Sequence, residues 1–161
     1  MRARRFQSGS VYISMMVAVS IVGIMLMEFG GLWQIEQQRD READLLAKGG
    51  EIRTAIRRYA NAGQVAGTYP ASLDDLVRDA RFPGTVRYLR RVYRDPIDGT
   101  LDWGIVEGPE GGIMGVYSQA DGEPLKQGNF LPDDAEFTGH ASYEDWVFMY
   151  EQDEPYEEGE E

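Results

Sequence analysis

Residues 7–34 read QSGSVYISMMVAVSIVGIMLMEFGGLWQ, directly after a leader that carries Arg2, Arg4 and Arg5. From residue 11 to residue 27 no side chain is charged, and only Tyr12, Ser14 and Ser20 are polar. As a helix this run spans roughly 26 Å, close to the hydrocarbon thickness of a bilayer. Glu28 closes the run, and Trp33 stands just beyond it, where an interfacial aromatic sits. Basic residues before the run and acidic ones after it place the N-terminus in the cytoplasm and the remainder outside. Three readings compete: a cleaved secretory signal, a single-pass anchor, and the packing spine of a filament subunit. A secretory signal has an apolar core of about 7–15 residues followed by a small-x-small site. The run here is longer, and its one such triplet, Ala18-Val19-Ser20, lies inside it. The contest is therefore between anchor and spine.

Residues 34–63, QIEQQRDREADLLAKGGEIRTAIRRYANAG, predict that the helix continues. Ile35, Leu45, Leu46, Ile52, Ala55, Ile56 and Tyr59 recur at helical spacing with charges between them. No proline interrupts between residues 10 and 67. The pairs Gly30-Gly31 and Gly49-Gly50 are expected bends or melted spots, since each glycine costs up to about 1 kcal/mol relative to alanine inside a helix. Gly63 and Gly67 supply the stop.

The 161-residue chain leaves room for one small domain beyond this helix. Its net charge of -12 excludes nucleic acid as the main partner, because a phosphate backbone is repelled. There is no cysteine, so disulfides and thiolate metal sites are excluded. Residues 69–84, YPASLDDLVRDARFPG, predict a short helix capped by Ser72, with Asp74 and Asp75 in its first turn and Pro83-Gly84 ending it. Residues 86–122 carry turn signals at Asp95-Pro96 and Asp98-Gly99. They predict an antiparallel hairpin in which Leu101, Trp103 and Ile105 alternate, then Ile113, Gly115 and Tyr117. YEDWVFMY, residues 143–150, supplies a third strand. Residues 121–142 read as a long irregular loop, and such loops are functional or disordered.

The order of these parts, with YPASLDDLV, YLRRVYRDPIDG, DWGIV, GGIMGVYSQADG and YEDWVFMY in turn, resembles the type II secretion pseudopilins and type IV pilin-like proteins, nearest the major pseudopilin. The resemblance covers about residues 7–150. It implies an α+β, pilin-like fold: a long, partly transmembrane N-terminal helix packed on a small antiparallel sheet with a short second helix. It implies a basic leader at 1–9, a transmembrane helix at 10–33, a periplasmic extension of it at 34–66, a globular domain at 67–150 and an acidic, disordered tail at 151–161. A prepilin peptidase cuts such chains after a glycine, here Gly9, leaving Ser10 as a new and often methylated N-terminus. The partners implied are other pseudopilins, that peptidase and an assembly platform in the bacterial inner membrane. The chain is then structural, not enzymatic. One position departs from the family: the glutamate expected five residues after the scissile glycine is Ser14. An unpaired ammonium in lipid is expensive, so either this is a specialised, tip-like subunit or the leader is retained. The alternative reading is a non-polymerising single-pass protein whose periplasmic domain binds a ligand or partner.

The resemblance also raises calcium, for which Ser118, Asp121, Asp133 and Asp134 are the candidate ligands, with the carbonyls of Val116 and Leu125. Calcium needs about 6–8 oxygen ligands, and Lys126 lies inside the loop; a solvated acidic loop is the competing reading. His140, the single histidine, reads as a loop residue, since imidazole metal sites ordinarily use more than one. Asp95 and Asp98 read as turn chemistry rather than paired catalytic acids. Arg87, Arg90, Arg91 and Arg94 form either a charge-balancing surface or a patch that meets an acidic neighbour. No catalytic triad, phosphate loop or H-E-x-x-H is present in the sequence.

Overall fold

The computed structural model describes residues 8–63, 67–108 and 111–151, with side chains described throughout except at 8–10 and 25–32. The chain forms two compact units, Met1–Arg39 and Asp40–Glu161. The boundary falls inside the stretch expected as a helical extension at 34–66. Helix α1, Ser8–Ala62, is one uninterrupted element of 55 residues that contributes to both units. It ends ahead of Gly67, which stands at φ 83°, a conformation that glycine adopts without a Cβ penalty.

In the second unit α1 is the floor of the core. Positions 42, 45, 49, 52, 56 and 59 are all buried and step by three and four, so they form one face. Leu45, Ile52 and Ile56 on that face are fully buried, together with Leu76, Val116, Trp146 and Phe148 from the rest of the unit. The helix runs through Gly49-Gly50 without melting. Gly49 leaves room for the Phe148 ring, since an added Cβ would come within 2.4–2.5 Å of three of its ring carbons.

Above the helix sits a three-stranded antiparallel sheet in the order β1-β2-β3, with β1 Gly104–Glu107, β2 Ile113–Tyr117 and β3 Phe148–Met149. Gly104 pairs with Tyr117, and Ile105 with Val116; a bulge follows between Val106 and Glu107. On the other side, Gly115 pairs with Met149 and Val116 with Phe148. The hairpin and third strand are as expected, but β3 is only two residues long. Its upstream neighbours Tyr143–Asp145 form a 3-10 turn that carries Tyr143 and leads into Trp146. The alternation at 101, 103 and 105 is not one inward face: Trp103 is buried while Leu101 is 49% and Ile105 39% exposed.

Helix α2, Leu73–Val77, starts after Ser72, whose backbone N–H donates to the Asp75 carboxylate at 2.9 Å. It stops six residues before Pro83. Arg78 is extended, and Tyr88 and Leu89 return to donate their N–H groups to the Leu76 carbonyl at 2.9 Å. Asp79 explains the early stop. Its buried carboxylate takes the Arg81 guanidinium in a forked pair at 2.7 and 2.9 Å, a geometry that a continuing helix does not permit at i,i+2.

The segment expected as an irregular loop contains a 3-10 helix, Pro132–Phe137, and an aromatic cluster. Phe137 stacks on Trp146 with ring centroids 5.7 Å apart and planes 9° from parallel, and Phe130 meets both rings edge-on. This segment is therefore a lid of the core and not a solvated excursion.

Candidate functional site

The first unit exposes an apolar helix. Over residues 11–24 every large apolar side chain is about half exposed or more, from 49% at Ile21 to 68% at Val11. Fourteen residues at 3.6 per turn sample every direction around the axis, and a helix apolar all round is one that is buried in lipid or among other helices. Full burial of one such side chain is worth about 1.5–3 kcal/mol, so this surface represents on the order of 10 kcal/mol. That is comparable with the whole stability of a domain, about 5–15 kcal/mol. Of the polar groups here, the Ser20 hydroxyl donates to the Met16 carbonyl of its own helix at 2.8 Å.

Among the described residues no helix is long and apolar enough to cross a membrane. The span expected at 10–33 runs on through positions 25–32, whose side chains lie outside the described ones. Gly9 and Ser10 fall within the first turn of α1. Arg2, Arg4 and Arg5 lie outside the described residues, as does the acidic segment from 152 onward.

In the second unit the ionisable groups are structural fasteners. Glu42 is 2% exposed, and its carboxylate accepts the backbone N–H of Leu125 at 2.7 Å, that of Lys126 at 3.0 Å and the Tyr143 hydroxyl at 2.8 Å. Three donors thus converge on one buried carboxyl group. Asp79 takes Arg81 and the Tyr88 hydroxyl, while Arg81 also donates to the Tyr59 carbonyl at 2.9 Å and lies 3.6 Å over the Tyr59 ring. Tyr59 is in the last turn of α1, so the guanidinium caps an orphan carbonyl at the helix end. The Arg81 hydrogen bonds hold Asp79 below the usual carboxylate range, and the same bonds raise Arg81. Burial, then the bond to Asp79, pushes the Tyr88 hydroxyl up.

The calcium candidates are not brought together as a cation site. Ser118 donates its hydroxyl to Asp95, which is fully buried, and accepts the N–H of Ala120 at 3.2 Å. Asp134 is paired with Arg53 at 2.9 Å, and the Asp133 carbonyl accepts from the same guanidinium at 2.7 Å. Asp121 is exposed. Among the described residues no group of three or more His, Cys, Asp or Glu side chains is placed to hold a metal ion. A guanidinium thus stands on the Asp134 carboxylate that was a candidate calcium ligand. Asp95 and Asp98 are turn residues, accepting the N–H groups of Ile97 and Thr100 at 2.8 and 2.7 Å. Asp95 adds a core role that the turn reading missed. His140 lies in an exposed loop, 3.7 Å from Asp145. Arg87, Arg90, Arg91 and Arg94 are all exposed, and Arg94 donates to the Gly99 carbonyl at 3.0 Å.

Sequence reasoning missed Glu42 as a buried group. The signal was its spacing, three before Leu45 and seven before Gly49, which puts it on the apolar face. Comparison with known proteins finds no matching family model, no matching curated protein and no matching solved structure.

Proposed function

We propose that the chain is a pseudopilin-like structural subunit. Helix α1 sits in the bacterial inner membrane through residues 10–33, with the N-terminus cytoplasmic and the α+β unit periplasmic. Subunits assemble through that helix into the pseudopilus of a type II secretion apparatus or a type IV pilus-like machine. The reading is carried by one observation: a helix apolar around its whole circumference is the same element that, further on, forms the floor of a small α+β core. Such a helix exchanges lipid for neighbouring helices at little hydrophobic cost, because in both settings its side chains stay out of water.

Ser14 favours a second reading, a pilin-fold anchor that does not polymerise, because no carboxylate stands there to neutralise a neighbour's amine. The mass of the mature N-terminal peptide, from cells with and without prepilin peptidase, separates the two. A peptidase-dependent start at Ser10 is the expected result. A start at Met1 in both strains overturns the processed subunit and leaves the anchor.

A further inference from the structure

Residues 121–146 lie over α1 without contributing a strand to the sheet. Two charged side chains of α1 clip this lid down. Glu42 accepts the N–H groups of Leu125 and Lys126 and the Tyr143 hydroxyl. Arg53 donates to the Asp133 carbonyl at 2.7 Å and to the Asp134 carboxylate at 2.9 Å. Positions 42 and 53 of one helix put the two clips about 16 Å apart.

The lid is also braced within itself. The Gln127 side-chain amide donates to the carbonyls of Pro124 and His140 at 2.8 and 3.3 Å, which ties its two arms together. The N–H groups of Asp134, Thr138, Asp145 and Trp146 all donate to carbonyls inside the lid. The clips are joined through rings. Tyr143, whose hydroxyl sits on Glu42, meets Trp146 edge-on with ring centroids 5.7 Å apart. Phe137 stacks on Trp146 and ends the 3-10 helix that carries Asp133 and Asp134, both partners of Arg53. A displacement at either clip therefore moves rings against which the other rests, and close-packed side chains shift together rather than singly. Two features favour opening. Gly122, near the start of the lid, stands at φ 129°, where a residue without a Cβ turns freely. Trp146 is fully buried, and among the described residues its indole N–H finds no acceptor. A buried donor left unpaired destabilises the closed form, and water supplies the acceptor once the lid lifts.

We infer that residues 121–146 are a hinged lid that opens as one body, releasing Glu42 and Arg53 together while the sheet stays folded. The open form bares the inner side of the Phe137 and Trp146 rings and the Phe148 ring, which Phe137 meets at 5.1 Å. Because both clips stand on α1, the lid responds as a whole to a change at either point of that helix. The device is independent of whether the apolar part of the helix polymerises.

Hydrogen exchange of the full chain in detergent micelles, resolved to single amides by mass spectrometry, tests it on Arg53→Gln, which removes one clip. The telling amides are those of Leu125 and Lys126, which are held by Glu42 and not by Arg53. The expected result is exchange about tenfold faster at these two, by the same factor as at Asp134 and Trp146, with β2 unchanged. Should Arg53→Gln fail to fold, Arg53→Lys keeps the charge without the fork and should give the same pattern at about threefold. A rise confined to residues 133–138 overturns the single body, because the clips then act separately. An equal rise in β2 overturns the lid as a separate element, because the whole unit then opens at once. Unchanged exchange throughout 121–146 overturns the proposal as well, because Arg53 is then no clip.

Discussion

An added methyl group at Gly49 would come within 2.4 Å of the Phe148 ring, whereas at Gly50 the nearest atom is Arg53 Nη2 at 3.9 Å. The two neighbours should therefore respond oppositely. Gly49→Ala forces the ring off the helix and costs about 1–3 kcal/mol through overpacking, while Gly50→Ala gains up to about 1 kcal/mol of helix propensity. Urea unfolding of the two variants checks the opposite signs. The glycine pair was legible in the sequence only as a weak spot, because the ring that requires Gly49 arrives from a position 99 residues later. Asp79 gives the acid response. Its pKa is depressed from 3.8 by Arg81, so the stability it contributes is full above that value and is lost as pH falls through the lower folded value. Asp79→Asn should lose about 2 kcal/mol at neutral pH and show a flatter stability curve than the parent below pH 4.

At the scale of the elements, α1 was the most legible. Of the residues read from helical spacing, Leu45, Ile52, Ala55, Ile56 and Tyr59 are buried, Leu46 is partly buried and Ile35 is exposed. Helix α2 was placed correctly at its start and wrongly at its end, because its stop is set by the local Asp79–Arg81 ion pair and not by the proline downstream. The lid at 121–146, with its aromatic cluster, was illegible. Its residues have no period, and only their meeting over α1 makes them core. Glu42 fastens that lid to the helix through Leu125, Lys126 and Tyr143. Glu42→Ala leaves two backbone donors and a buried hydroxyl without their acceptor and should cost about 3–5 kcal/mol. Hydrogen exchange at the Leu125 and Lys126 amides should rise before that of β2, since the lid is released first.

For the whole molecule, the decisive stretch was the one read first: its length, lack of charge and basic leader are sequence properties. The candidate calcium ligands were not legible, because a sequence does not tell whether an aspartate will face a cation or a guanidinium. The absence of cysteine makes assembly directly measurable. Ile21→Cys on the exposed helix should give disulfide-linked dimers in membranes if helices pack side by side, since a bridge needs Cα atoms within about 7 Å. Linked dimers absent across a set of such positions, with Val17→Cys and Ile24→Cys included, would sink assembly through this face.

The division of α1 between two compact units has a practical side. Residues 40–62 of the helix hold the floor of the core, so they belong to the domain as much as any strand does. A water-soluble fragment made by discarding the apolar part has its natural start between Arg39 and Asp40. Starting a single turn later would discard Glu42, and with it the carboxylate that holds Leu125, Lys126 and Tyr143 to the helix.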